Sequence, residues 1–124
     1  MLQAEKVAAI VVAGGASRRM GFDKMLARLE NGRAVIEQSV LAFSQHPMVD
    51  EIVVVASSAN LPQIQSMLAG QPKVTAIVPG GAERFDSVRA GLEHTQARWL
   101  AIHDGARPFV SAQVITQALL GALQ

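Results

Sequence analysis

The stretch AGGASRRMGFDK, residues 13–24, places two glycines, two arginines and a lysine directly after the apolar run KVAAIVV. Gly14 and Gly15 carry no Cβ, so the backbone there can approach a ligand closely. Successive N–H groups in such a loop form an anion-binding nest, and Arg18, Arg19 and Lys24 are suited to neutralising phosphate oxygens. The Gly-Lys-Ser/Thr of a Walker loop is absent, and no G-x-G-x-x-G occurs here. The competing reading is a tight glycine turn with solvated arginines.

A second glycine pair lies in PGGAERFDS, residues 79–87. Gly80 and Gly81 again mark close backbone approach, and a helix is expected directly after them. A helix N-terminus favours anions and also presents N–H groups to a neutral base edge. Ser87, one turn in, adds a hydroxyl, while Glu83 and Asp86 are equally plain first-turn helix residues. The third stretch is HDGARP, residues 103–108. Asp104 stands where an α/β sheet presents a metal-binding carboxylate, and Mg²⁺ takes one or two carboxylates plus substrate phosphates and water. Asp104 before Gly105 also fits an ordinary turn. His103 reads as a strand-end residue with a structural hydrogen bond, and Arg107 as holding the turn. His46 and His94 have no partners at metal-ligand spacing and read as surface residues. Ser57, Ser58 and Asn60 in ASSANLP read as a loop and helix cap with little part in chemistry.

The elements that must position these stretches are legible as alternating patterns. VAAIVVA at 7–13, EIVVVA at 51–56, VTAIV at 74–78 and WLAIH at 99–103 are short, continuous and rich in β-branched residues. Such runs predict strands buried on both faces, hence a parallel sheet. Helical spacing of apolar residues follows at 34–45 (Ile36, Val40, Phe43), 61–69 (Leu61, Ile64, Leu68), 83–94 (Phe85, Val88, Leu92) and 112–123 (Ile115, Leu119, Leu123). Pro62 suits a first helical turn, and Ser111 is a candidate N-cap. The alternation predicts an α/β fold with an open, doubly wound, mostly parallel sheet in one domain over residues 1–124. Ligands of such sheets bind beyond the carboxyl ends of the strands, at the residues picked out above.

Composition narrows the classes. The 124 residues are half apolar, so a packed core is expected. A net charge of +1 confines any anion site to a local cluster, and nucleic acid and membrane surfaces are not expected partners. The absence of cysteine excludes disulfides and thiolate metal sites. Four Phe and one Trp are too few for base-stacking platforms. No apolar run reaches transmembrane length and MLQAEK lacks a signal-peptide core, so a cytoplasmic location is expected. No Ser/His/Asp or Cys/His arrangement is evident, and the combination favours nucleotidyl transfer over hydride transfer or hydrolysis.

AGGASRRMGFDK, GGAERFDSVRAGL and HDGARPFV together resemble the 2-C-methyl-D-erythritol 4-phosphate cytidylyltransferase family, in the right order along nearly the whole chain. The first motif is shared by many nucleotidyltransferases and also resembles molybdenum cofactor guanylyltransferase. The second and third favour the cytidylyltransferase, with ribitol 5-phosphate cytidylyltransferase a close relative. The resemblance implies a Rossmann-like nucleotidyltransferase fold and transfer of CMP from CTP to a sugar-alcohol phosphate, with Mg²⁺ as cofactor and pyrophosphate as product. By motif position, Arg19 and Lys24 would stabilise charge on the α-phosphate, with Arg18 as the neighbouring candidate. The backbone of Ala13, Gly14, Gly15, Ala16 and Ser17 would wrap the triphosphate. Gly80, Gly81 and Ala82 would face the cytosine, and Ser87 would add a side-chain hydrogen bond. Asp104 would bind Mg²⁺ and Gly105 would sit by the ribose. Family members are expected to be roughly twice as long, so the resemblance implies a truncated chain. The remaining length would carry the acceptor site and a β-arm that forms a homodimer. A CTP-binding module without turnover is the non-enzymatic alternative.

Overall fold

In the computed structural model, which describes residues 6–13, 24–81, 84–97 and 99–105, strand and helix alternate along the chain. The elements are β1 (Val7–Ala13), a 3-10 turn (Lys24–Leu26), α1 (Val35–Ser44), β2 (Glu51–Ala56), α2 (Leu61–Met67), β3 (Val74–Pro79), α3 (Arg84–Leu92) and β4 (Trp99–Asp104). The strands form one parallel sheet in the order β3-β2-β1-β4. The expected α/β class, parallel sheet and all four strands are present. The helix expected at 112–123 lies outside the described residues.

The two central strands explain their own composition. Every residue of β1 is buried, as are Ile52 to Ala56 of β2. Side chains alternate between faces along a strand, so a strand covered on both sides has no polar position. Ala9, Val11, Ile52 and Val54 face a core built with Ile36, Val40 and Phe43 of α1 and Ile64 of α2. Ile10, Val12, Val53 and Val55 face a smaller core against Val88 and Ala90 of α3. The edge strands depart from that pattern. Thr75 of β3 is exposed, and Leu100 and Ile102 of β4 are 38% and 46% exposed. Burial on both faces therefore holds for the centre of the sheet, while an edge strand has a neighbour on one side.

α1 starts at Ala34, whose N–H donates to Glu37 Oε1 at 2.8 Å, half of a capping box. Glu37 also pairs with Arg28 at 3.2 Å. α2 carries its proline in the first turn, as expected. α3 corrects the sequence reading. Val88 packs on the sheet, but Leu92 is 40% exposed. The buried face turns instead through Ser87, Val88 and Gly91. His46 is likewise corrected: it is 3% exposed, not a surface residue. Its Nδ1 accepts the Met48 N–H at 3.0 Å, and its carbonyl accepts Lys73 Nζ at 2.9 Å, so its polar groups are used inside the turn before β2. His94 is exposed, as expected.

Gly91 sets how closely α3 sits. A Cβ there would lie 2.7 Å from Ile10 Cγ2 and 3.1 Å from Val55 Cγ2. Both are branch methyls of stiff side chains that cannot swing aside. Overpacking of this kind costs about 1–3 kcal/mol, against at most about 1 kcal/mol gained in helix propensity. Gly91→Ala is therefore expected to lower the urea midpoint without changing the m-value, although it replaces a poor helix former with the best one. An unchanged or raised midpoint would show that α3 has room to move.

Candidate active site

All four strands run the same way, so their carboxyl ends share one edge. Ala13 pairs with Ala56 and Ala56 with Pro79, while Val12 pairs with Asp104. The residues that follow are Gly14 after β1, Ser57 after β2, Gly80 after β3 and Gly105 after β4. The strand ends that lead into the sequence-predicted stretches thus share one edge. Strand order reverses direction between β1 and β4, the switch point at which open α/β sheets bind ligands. Strands lie about 4.8 Å apart, so the ends of β1 and β3 are separated by roughly 10 Å. Only an elongated ligand can reach both.

Gly14, Gly15, Ala16, Ser17, Arg18, Arg19 and Ala82 lie outside the described residues. Ala13 closes β1 and is fully buried. Lys24 opens the 3-10 turn that leads back to α1. Asp104 closes β4, and Gly105 follows it, buried.

At the end of β3, the Gly80 N–H donates to Ala56 O at 2.7 Å, carrying the ladder one residue past the strand. A Cβ on Gly80 would overlap Ser87 Oγ and lie 2.8 Å from Val55 Cγ1. A Cβ on Gly81 would overlap Cβ of Asp86. The double glycine is required by space: the first turn of α3 is folded against the strand end. That approach places Ser87, 5% exposed, beside the Gly80 backbone. The cytosine-facing pair expected from the motif is therefore one packed unit.

Carbonyls at or beside the ends of β1 and β4 are held by bonds from other elements. Val12 O accepts the Gly105 N–H at 2.8 Å, and Gly105 O accepts the Ser39 hydroxyl of α1 at 2.6 Å. Ala13 O accepts Asn60 Nδ2 at 3.1 Å. Asn60 is the residue that sequence reasoning undervalued. It is 2% exposed, and its Oδ1 accepts the Ser57 N–H at 2.8 Å while its own N–H donates to Ser57 Oγ at 3.1 Å. Its side chain makes no capping bond to α2, because the backbone is already turn-like (φ −102°, ψ −3°), away from the extended N-cap geometry. It reaches across to β1 and fixes the peptide from which the glycine loop departs. Asparagine before an apolar run signals a cap; the bond to a strand 47 residues away has no local signature.

His103 stands inside β4 with its ring 4.9 Å from that of Phe43, tilted by 59°. It is tied to the α1 face, in keeping with a structural part. Among the described residues no three His, Asp or Glu side chains group as a metal site. A single strand-end carboxylate such as that of Asp104, the last residue of β4, would suit an ion completed by phosphate oxygens and water rather than an all-protein cage.

Three comparisons bear on this arrangement. The family model described as 2-C-methyl-D-erythritol 4-phosphate cytidylyltransferase matches residues 7–124. A Dehalococcoides mccartyi protein of that name is 42% identical over 122 residues, covering 95% of this chain and 53% of the relative. A Thermobifida fusca protein of the same name is 44% identical over 119 residues, covering 90% and 47%. The crystal structure of 4-diphosphocytidyl-2C-methyl-D-erythritol synthase from Anaerococcus prevotii superposes with a TM-score of 0.80 at 25% identity, over 98% of this chain and 52% of that one. The chain spans about half the length of the curated relatives it matches. With a parallel sheet that brings the ends of β1, β3 and β4 to one edge, the match over residues 7–124 identifies this chain as a member of the 2-C-methyl-D-erythritol 4-phosphate cytidylyltransferase family.

Proposed function

We propose that this chain forms the nucleotide side of a cytidylyltransferase that joins CTP to 2-C-methyl-D-erythritol 4-phosphate, giving 4-diphosphocytidyl-2-C-methyl-D-erythritol and pyrophosphate. The observation that carries the reading is the single edge at which β1, β3 and β4 end, with Gly80 and Ser87 packed together at the end of β3, Asp104 closing β4 and the glycine stretch following β1 in sequence. An elongated ligand with phosphates at one end and a base at the other matches that spacing. Family membership supplies the choice of cytidine and of acceptor.

In this reading an oxygen of the acceptor phosphate attacks the α-phosphorus, and the bond to the β-phosphate breaks with pyrophosphate as leaving group. No protein nucleophile is needed, so the chain contributes positioning and charge stabilisation. Main-chain groups from Ala13 to Ser17 wrap the triphosphate. Arg19 and Lys24 stabilise negative charge developing on the α-phosphate, with Arg18 near the outer phosphates. Gly80, Gly81 and Ala82 meet the cytosine through the backbone, Ser87 adds its hydroxyl, and Gly105 lies by the ribose. Asp104 would hold Mg²⁺, which supplies charge neutralisation between phosphate oxygens. The length that the relatives have beyond the matched half supplies the acceptor site and the arm of a homodimer. No helix among the described residues is long and apolar enough to cross a membrane. With water-soluble substrates, this supports a cytoplasmic enzyme.

Three measurements test this. The thermal midpoint is expected to rise with CTP and Mg²⁺ and to stay fixed with GTP and Mg²⁺; equal protection by both would remove the cytidine assignment. Gly80→Ala drives a methyl into Ser87, and CTP affinity should fall about tenfold, the size of one well-placed hydrogen bond. Affinity equal to wild type would separate Ser87 from the base. In the intact protein, Lys24→Ala should lower the rate of pyrophosphate release by about a hundredfold or more, as for other groups that stabilise transition-state charge. An unchanged rate would reassign the lysine.

A further inference from the structure

The hydroxyl of Ser39 is the one polar group that α1 sends through the core to the site edge. Ser39 is fully buried, on the face of α1 that also carries Val35, Ile36, Val40 and Phe43. A serine inside a helix ordinarily bonds back to the carbonyl one turn before it or turns to solvent. This one donates to Gly105 O, 66 residues away, at 2.6 Å. A hydroxyl in a wholly apolar layer is unfavourable without a partner, and an alanine would fill nearly the same volume with no such requirement.

The bond fixes the turn that follows Asp104. The Gly105 N–H is held by Val12 O, which sets the peptide plane between Asp104 and Gly105. The Gly105 carbonyl is held by Ser39, which sets the next plane. Glycine is the residue most free to rotate between two such planes. With both held, that freedom is removed and the backbone of Asp104 is fixed from its pairing with Val12 onward. A Cβ on Gly105 would meet Ile36 Cδ1 at 3.0 Å and Val12 O at 3.1 Å, so the turn also packs tightly on α1 and β1. α1 thereby ties the end of β4 to the end of β1, the two strands of the switch point.

We propose that Ser39 is a positioning residue, whose hydroxyl holds the Asp104–Gly105 turn in the geometry that binds a nucleotide together with Mg²⁺. The inference rests on the reading of this edge as a CTP–Mg²⁺ site. It concerns a residue that touches neither ligand.

The test is calorimetric titration of the protein with CTP over a series of Mg²⁺ concentrations, below the unfolding temperature of every variant. Ser39→Ala removes the donor, and Ser39→Cys keeps the volume with only a weak donor, which preserves packing if alanine does not fold. Val40→Ala, fully buried on the same helix, is the control for lost stability. Both Ser39 variants should weaken CTP by about fivefold, the effect of one net hydrogen bond, and shift the Mg²⁺ dependence to higher concentration. Val40→Ala should leave both within twofold while lowering the thermal midpoint at least as much. Unaltered CTP and Mg²⁺ titrations in the Ser39 variants overturn the proposal, as does an equal loss in Val40→Ala. Failure of the unmodified protein to bind CTP at any Mg²⁺ concentration overturns the site itself, and the role of Ser39 with it.

Discussion

Everything at the site edge depends on where β1 stops. Its seven residues are buried on both faces and paired on both sides, so its register is fixed by two neighbours at once. A one-residue slip would exchange the residues that face α1 and α2 with those that face α3. Because β2 and β4 are parallel to β1 and locked to it, their ends are located relative to Ala13 to within a residue. The segments that follow the strands then begin from fixed points, and at Gly80 and Gly105 the pairing extends one residue past the strand.

The second constraint is how the ends are finished. A parallel ladder leaves polar groups unmatched where strands stop, and a buried carbonyl without a partner is costly. Here the finishing bonds come from distant elements: Gly105 onto Val12, Asn60 onto Ala13, Gly80 onto Ala56 and Ser39 onto Gly105. Satisfying these groups and aligning the loops are one physical act, since the same bonds do both. On the α3 side glycine has the complementary part. Gly80, Gly81 and Gly91 leave space into which Ser87, Asp86, Ile10 and Val55 fit, so a helix with a weak apolar stripe still lies close against the sheet.

What the sequence made legible follows from the range of each interaction. Continuous β-branched runs at 7–13 and 51–56 announce central strands because burial on both faces acts on every residue. The motif residues Gly80, Ser87, Asp104 and Gly105 reach the shared edge for the same reason, as they directly follow such runs or begin the next helix. The burial of His46, the exposure of Leu92 and the long-range bond of Asn60, which otherwise stands at the N-cap position of α2 as expected, are not legible locally because their surroundings come from elsewhere in the chain. His46 is buried by a turn that uses its ring nitrogen, Leu92 lies past the part of α3 that meets the sheet, and Asn60 answers to a carbonyl 47 residues back. Spacing within a segment carries no record of such partners. The loop at 14–23, where the sequence speaks most clearly of phosphate, lies outside the described residues, so its chemistry rests on motif and family.

The division of labour among the strand ends also constrains the ligand. Arg18, Arg19 and Lys24 follow β1 in sequence, Asp104 is the last residue of β4, and these two strands are adjacent in the sheet. A polyphosphate bound to the arginines and lysine, with a divalent ion toward Asp104, would balance both sets of charge. The end of β3, where Gly80 packs against Ser87, lies on the far side of β2 from the end of β1, and in the proposed reading its backbone and one hydroxyl suit a neutral, planar group. In the proposed reading, the order β3-β2-β1-β4 would lay base, phosphates and metal in sequence along one edge. Exchanging β1 and β2 in the sheet would leave every motif intact and put a strand between the ends of β1 and β4, so topology, as much as any single residue, sets which strand ends are neighbours there.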